Sequence, residues 1–317
     1  MERNLALEGV RITEASALFA SRYVGRGDAD KAFGSAIEAM VKVFSSVSVD
    51  GKVVIGKSDA VNMRLTANSE LGNKNGPEVD IVVDPLDGKT TCARGGQNSI
   101  SAVAMGEKGA FFIPPTLYME KIAVGGDVKG IVDITESPEI NIKRVARAKK
   151  KYIEDVTVCV LDRPRHTELI ERIRTVGARI ILITDGDISG AVAAAMEDRP
   201  IDILMGTGRS MEGVLAAAAI KCLGGDIQAK LIFKNDEERE FAHKSGFNDL
   251  NKVLMLSDLI PGKDLMFSAT GITDGEFLKG VRFVSGGAVT DSIVMRSKTH
   301  TIRFITANHQ FDYKPMY

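Results

Sequence analysis

Between Val156 and Gly225 the chain alternates strand and helix signals, and this alternation restricts its fold more than any other stretch. Val156 to Leu161 is apolar and β-branched; Pro164 to Val176 carries a helical pattern that stops at Gly177; Ala178 to Ile183 is again strand-like. Ile188 to Met196 reads as helix, Ile201 to Met205 as strand, and Gly213 to Leu223 as a helix ending at Gly224-Gly225. A βαβαβα order predicts a mainly parallel sheet that receives ligands at the carboxyl ends of its strands. Three polar clusters fall at those ends: Asp162 to Arg165, Asp185 to Asp187, and Gly206 to Glu212.

The preceding part is organised differently. Residues 5 to 24 are Pro-free and Ala-rich, which predicts a helix closed by Gly25-Arg26-Gly27. Ala36, Met40, Val43 and Val47 recur at helical spacing, and Phe33 extends that stripe by a turn, so core packing is its expected role. From Val53 to Val124 the pattern shifts to short β-rich runs, among them Val53-Val54-Ile55, Ile81-Val82-Val83, Ser101 to Ala104 and Ala110-Phe111-Phe112. Helices followed by strands read as an α+β half, and the charged stretch Lys143 to Lys151 as a solvated helix or linker. The division expected is therefore 1–150 against 151–317. Ser292 to Met295 and Thr301 to Ile305 add strands at the end.

Composition excludes several classes of function. At 317 residues and 44% hydrophobic the chain can bury a large core, and 41 basic residues balance 42 acidic ones. No global field favours nucleic acid or an anionic membrane, so an anion site has to be local. Cys92, Cys159 and Cys222 are widely spaced, unlike zinc or disulfide frameworks, and read as buried thiols of a reducing compartment. No apolar run reaches the roughly 18 residues of a membrane span. The polar start Met1-Glu2-Arg3-Asn4 does not read as a secretion signal, and a cytoplasmic location is expected.

Asp84-Pro85-Leu86-Asp87-Gly88 closes the apolar run Asp80 to Val83 and sets two carboxylates at a strand end. Hard divalent cations such as Mg²⁺ and Mn²⁺ prefer oxygen anions of this kind. The same five residues also suit a plain turn, since Pro fixes φ and Asp-Gly favours tight reversal.

Val83 to Ala104 (VDPLDGKTTCARGGQNSISAVA) resembles the signature of the class II, GlpX-like fructose-1,6-bisphosphatases. Gly25 to Asp28, Val53 to Gly56, Tyr118 to Lys121, Asp162 to Arg165, Asp185 to Asp187, Glu212 to Val214 and Gly271 to Gly275 match further motifs in family order. The resemblance implies an α/β fold, the layered α-β-α-β-α sandwich of the lithium-sensitive, metal-dependent sugar phosphatase superfamily. It implies metal-assisted hydrolysis of a sugar bisphosphate to fructose 6-phosphate and phosphate in gluconeogenesis, with Mn²⁺ or Mg²⁺ and a homodimer or homotetramer. Asp84, Asp87 and Glu212 are the implied metal ligands, with Asp59 a further candidate; Asp84, Asp87 and Lys89 stand at the implied catalytic positions. Asp87, Gly88, Lys89, Tyr118, Arg163, Arg165, Asp185, Gly186, Asp187 and Arg209 stand where the family binds substrate. Arg suits bidentate phosphate contacts and Asp suits sugar hydroxyls.

Departures from the family pattern gather at the metal positions. A family Asp ligand is Phe33 here; a Glu-Gly-Glu run is replaced by Lys57, Ser58 and Asp59; the Thr after the Asp-Gly pair is Lys89. Arg209 and Met211 replace a Gly and a Pro in a phosphate-side turn. An ammonium beside two carboxylates competes with a divalent cation. Two outcomes follow. Either Lys57 and Lys89 pair with Asp84, Asp87 and Asp59, leaving an inactive paralogue that binds sugar phosphate or partners an active homologue, or slow hydrolysis survives. The four histidines, His166, His243, His300 and His309, show no ligand spacing, and no Walker loop or Gly-x-Ser-x-Gly is present.

Overall fold

The structure, a computed structural model, describes residues 5–57 and 64–313. Asp59 therefore lies outside the described residues. The chain opens with α1 (Leu5–Ser21), α2 (Ala29–Phe44), β1 (Asp50–Ile55), β2 (Glu70–Leu71), β3 (Glu78–Asp87), α3 (Lys89–Arg94) and β4 (Ile100–Gly106). Then come β5 (Tyr118–Val124), α4 (Pro138–Lys149), β6 (Thr157–Leu161), α5 (Thr167–Val176), β7 (Arg179–Ile183), α6 (Asp187–Ala194), β8 (Ile203–Arg209) and α7 (Ser210–Leu223). It continues through β9 (Asp226–Ile232), α8 (Asp236–Lys244), β10 (Leu254–Met255) and α9 (Leu256–Leu259) to β11 (Leu265–Gly271), β12 (Arg282–Val284), β13 (Gly287–Arg296) and β14 (Thr301–Gln310). Helices and strands mix throughout, which is the α/β class expected.

Packing divides the chain into two units, Met1–Phe111 with Gly262–Tyr317, and Phe112–Pro261. The boundary differs from the one expected at residue 150. The charged stretch there is α4, whose Ile142, Val145 and Ala146 pack into the core of the second unit. Ser137 caps this helix through the Ile140 N–H, and Pro138 occupies its first turn, where no donor is needed.

In the first unit the described strands form an eight-stranded sheet ordered β12-β13-β11-β4-β3-β1-β2, with β14 on β13. Only the β1–β3 pair is parallel. Gly9 lets α1 approach the sheet, since a Cβ there would lie 2.5 Å from Ser268 Oγ. Asp28 caps α2 by accepting the Lys31 N–H, and Phe33, Ile37, Met40 and Phe44 line its buried face. Ala110 to Phe112, expected to be a strand, is not one. Gly109 at φ +77° turns the chain, the Ala110 N–H closes on the Glu107 carbonyl, and Phe111 is buried as a loop residue.

The second unit carries a six-stranded sheet, β10-β9-β5-β8-β6-β7. β6 pairs in parallel with β7 and β8, whereas β5 is antiparallel to β8 and β9, and β10 to β9. The sheet is thus mixed, not mainly parallel. Its βαβαβα part is as expected, but β5, which the sequence groups with the strands of the first half, inserts antiparallel at its centre. No helix among the described residues is long and apolar enough to cross a membrane.

Candidate active site

A bulge in β3 sets the geometry of the Asp-Pro-Leu-Asp motif. Asp84 pairs with Ala102 of β4 but Asp87 pairs with Ile100, so three steps on one strand oppose two on the other. Alternation alone would send residues three apart to opposite faces. The extra residue at Pro85-Leu86 resets the phase and brings both carboxylates to one face, where Asp84 is wholly buried and Asp87 nearly so. The bulge is held by α1 and by the residue before β4: Ser16 Oγ donates to the Pro85 carbonyl at 2.8 Å, and Ser99 Oγ to the Gly88 carbonyl at 3.0 Å. Gly88 adopts φ +78° with Ser99 Oγ 2.9 Å from where a Cβ would sit, so only glycine fits. The motif is not the tight reversal that its Pro and Asp-Gly would suit: β3 runs on through Asp87, and the bulge sets the two carboxylates on one face.

Lys57 reaches this site through a second irregularity. β1 and β3 match Val53 with Ile81 but Ile55 with Val82, and carrying that register two residues further sets Lys57 beside Asp84. Its Nζ lies 2.5 Å from Asp84 Oδ2, while Asp84 Oδ1 accepts the Leu86 N–H at 3.3 Å. Lys89 behaves otherwise. It is exposed on the first turn of α3 and pairs with Asp30 at 3.2 Å, 5.5 Å from the centre of the Phe33 ring. Of the two expected lysine pairings, that of Lys57 with Asp84 occurs and that of Lys89 is replaced by one with Asp30. Phe33 is core.

In the second unit the parallel strands β6, β7 and β8 bring their carboxyl ends to one edge. Arg163 and Arg165 follow β6, Asp185 to Asp187 follow β7, and Arg209 ends β8 opposite Tyr118, which begins β5. Arg165 donates through Nε and Nη2 to the Thr207 carbonyl at 3.0 and 2.7 Å, and its guanidinium lies 5.9 Å from the Tyr118 ring centre. Arg163 donates to the Asp162 carbonyl at 2.9 Å. Gly186, at φ +81°, caps α6 and donates to Asp185 Oδ1, which places Asp187 in the first helical turn. Arg209 is exposed and Glu212 is buried in the first turn of α7. The expected phosphate-side turn is absent, because β8 runs directly into α7 at Ser210.

Lys121 and Lys234 carry no role in the sequence reading, and His166, expected there as an ordinary helix residue, stands at this edge. Lys121, in the middle of β5, is buried and ion-paired with buried Asp187, and it also donates to the Arg209 carbonyl at 3.3 Å. Gly208 passes so close that a Cβ would lie 2.1 Å from Asp187 Oδ2. The signal for Lys121 is its phase: it shares a strand face with Met119 and Ala123, both buried, and a lysine in that phase requires an anionic partner. His166 accepts the Thr207 N–H at Nε2, 2.8 Å away, so its proton sits on Nδ1 and is donated to the Leu161 carbonyl at 2.7 Å. Burial, opposed by that carbonyl and reinforced by Arg165, Arg163 and Lys121, holds its pKa below the ordinary value. Lys234, just beyond β9, lies 4.3 Å from the Tyr118 ring centre.

The model of the family described as bacterial fructose-1,6-bisphosphatase, glpX-encoded, matches residues 3–309. The chain belongs to this family. It is 40% identical to a class 2 fructose-1,6-bisphosphatase of Haemophilus influenzae, over 98% of each chain. It is 38% identical to a Synechococcus D-fructose 1,6-bisphosphatase class 2/sedoheptulose 1,7-bisphosphatase, over 98% of this chain and 97% of the relative. Members of the family depend on a divalent metal, and the donor chemistry at the β3 bulge is right for one, being hard carboxylate oxygen. The occupancy is not. At Asp84 Oδ2 a lysine ammonium already stands at hydrogen-bond distance, and the site does not fit a divalent ion on that oxygen.

Proposed function

We propose that this chain acts on sugar bisphosphates as a fructose-1,6-bisphosphatase of the class II type, releasing phosphate and fructose 6-phosphate. The observation that carries the reading is the family match from residue 3 to 309, at 40% identity to a relative covered almost end to end. The cationic edge of the second unit supports it, since Arg163, Arg165 and Arg209 offer guanidinium groups to phosphate. In this reading Tyr118, Asp185, Gly186 and Asp187 complete the substrate contacts, together with Asp87, Gly88 and Lys89. Asp84, Asp87 and Glu212 are the residues assigned to Mn²⁺ or Mg²⁺. Sedoheptulose 1,7-bisphosphate is a second candidate substrate, named for two relatives. A cytoplasmic homodimer or homotetramer completes the proposal.

One observation favours a second reading, a non-catalytic paralogue that keeps the fold and binds sugar phosphate beside an active homologue. The Lys57 ammonium neutralises Asp84, and a lysine holds phosphate as a point charge but cannot lower the pKa of a bound water as a metal does. Phosphate release from fructose 1,6-bisphosphate with Mn²⁺ or Mg²⁺ separates the two. Turnover by the unaltered chain supports the hydrolase; turnover gained only by the triple variant Phe33→Asp, Lys57→Glu, Lys89→Thr supports the paralogue.

A further inference from the structure

The Lys57–Asp84 pair goes beyond a surface ion pair. Asp84 is fully buried, while Lys57 retains about a fifth of its side-chain exposure, entering from the end of β1. A carboxylate buried to that degree requires a counter-charge. The register of β1 on β3 delivers one: the lysine follows two residues after the neighbouring strand on the same chain, so its ammonium is present at high effective concentration whatever the solution contains. At 2.5 Å from Oδ2 it occupies the space that an ion coordinated at about 2.0–2.2 Å would need. The second oxygen is engaged by the Leu86 N–H of the bulge itself. An incoming cation would have to expel the ammonium and then sit beside it.

We propose that Lys57 is a built-in monovalent replacement for a divalent ion on Asp84, so that each chain binds one divalent ion fewer than the same chain without the ammonium. The proposal rests on the bisphosphatase reading for Asp84 as a metal-side residue, and it concerns ion number, not rate.

The test counts Mn²⁺ per full-length chain by equilibrium dialysis with elemental analysis, alongside calorimetric titration, for the unaltered protein, Lys57→Arg, Lys57→Met and Lys57→Glu. Lys57→Arg is expected to match the unaltered chain. Lys57→Met and Lys57→Glu are expected to gain one Mn²⁺ per chain, or to bind it at least tenfold more tightly. Equal stoichiometry and affinity across all four overturns the proposal. If Met and Glu variants fail to fold, unaltered crystals soaked in manganese decide. Anomalous density coordinated to Asp84 Oδ2 overturns the proposal, and Lys57 retained on Asp84 with no ion on that oxygen supports it. Phosphate release on the same samples tests the bisphosphatase reading separately: turnover with equal ion counts sinks this proposal alone, and a gained ion with no turnover in any variant sinks only the hydrolase.

Discussion

The two units each contain a buried aspartate answered by a lysine, and the two pairs differ in how far water reaches them. In the second unit Lys121 and Asp187 are both enclosed, at 3% and 8% side-chain exposure, and the ammonium also holds the Arg209 carbonyl. In the first unit Asp84 is equally sealed, but Lys57 comes in from beyond a strand end and keeps about a fifth of its side-chain exposure. An enclosed pair is a fixed brace, because separating it strands a charge in low dielectric. A pair with one partly exposed member is a counter-charge whose place a metal ion can take once the lysine is removed. The same two residue types therefore brace the carboxyl edge of the sheet in one unit and, on the proposal above, set ion occupancy in the other.

The largest effect that could break this contrast is at Lys121. Lys121→Met leaves the Asp187 carboxylate buried without its cation and is expected to lower stability by roughly 3–5 kcal/mol. Denaturant melts of the full chain read this directly. Adding Asp187→Asn should recover most of the loss, and Mn²⁺ should recover none. If Lys121→Met melts like the parent, the pair is no brace.

Lys57→Met comes next. Removing the cation from Asp84 should destabilise the metal-free chain by about 1–3 kcal/mol, the penalty typical of an under-satisfied buried group. Here Mn²⁺ should restore the melting temperature, and that rescue is what distinguishes the two pairs. A melt insensitive to Mn²⁺ would collapse the distinction.

His166 sharpens the picture of the second unit through pH. Its folded pKa lies below the ordinary 6.5, chiefly through burial, so at pH values between the two the unfolded chain binds more protons than the folded one. Stability is then fully present above pH 6.5 and is lost as pH falls from there toward the folded pKa. Protonation at Nε2 would also remove the acceptor that fixes the Thr207 amide. His166→Gln should flatten the fall in melting temperature between about pH 7 and 5, and cost about 1 kcal/mol at neutral pH. A variant that follows the parent's pH curve would show that another group carries it.

Local signals in the sequence were read well where one element explains them. The stripe of Phe33, Ala36, Met40 and Val43 is the buried face of α2, and Gly177 ends α5 in the left-handed conformation as expected. Questions of allegiance were not legible. The apolar pattern of Tyr118 to Val124 announces a strand but not the sheet it joins, and β5 crosses into the second unit, moving the boundary from 150 to 111. Register was equally hidden: the bulges at Pro85 and between Val53 and Ile55 decide that Lys57, not Lys89, meets Asp84. Net charge near the motif could be summed from residues, but which ammonium lands on which carboxylate depends on single-residue slips in pairing. Lys121 was missed because a lone lysine in a strand reads as a solvated charge until its phase with Met119 and Ala123 is noticed.

The smallest expected effect is at Lys89, and it tests whether proximity in sequence suffices for the role given to Lys57. Lys89 and Asp30 are 48% and 89% exposed, so their pair should contribute no more than about 0.2–1 kcal/mol. Contact with the Phe33 ring adds ~0.5 kcal/mol at an exposed site. Opposing both, a cation in the first turn of α3 meets the positive end of the helix dipole, a penalty of similar size. Lys89→Thr should therefore shift stability by less than about 1 kcal/mol and leave the Mn²⁺ count per chain unchanged, because the ammonium it removes rests on Asp30. If Lys89→Thr instead gains an ion as Lys57→Met does, charge near the motif matters more than contact with Asp84, and strand register loses its place as the determinant of ion number.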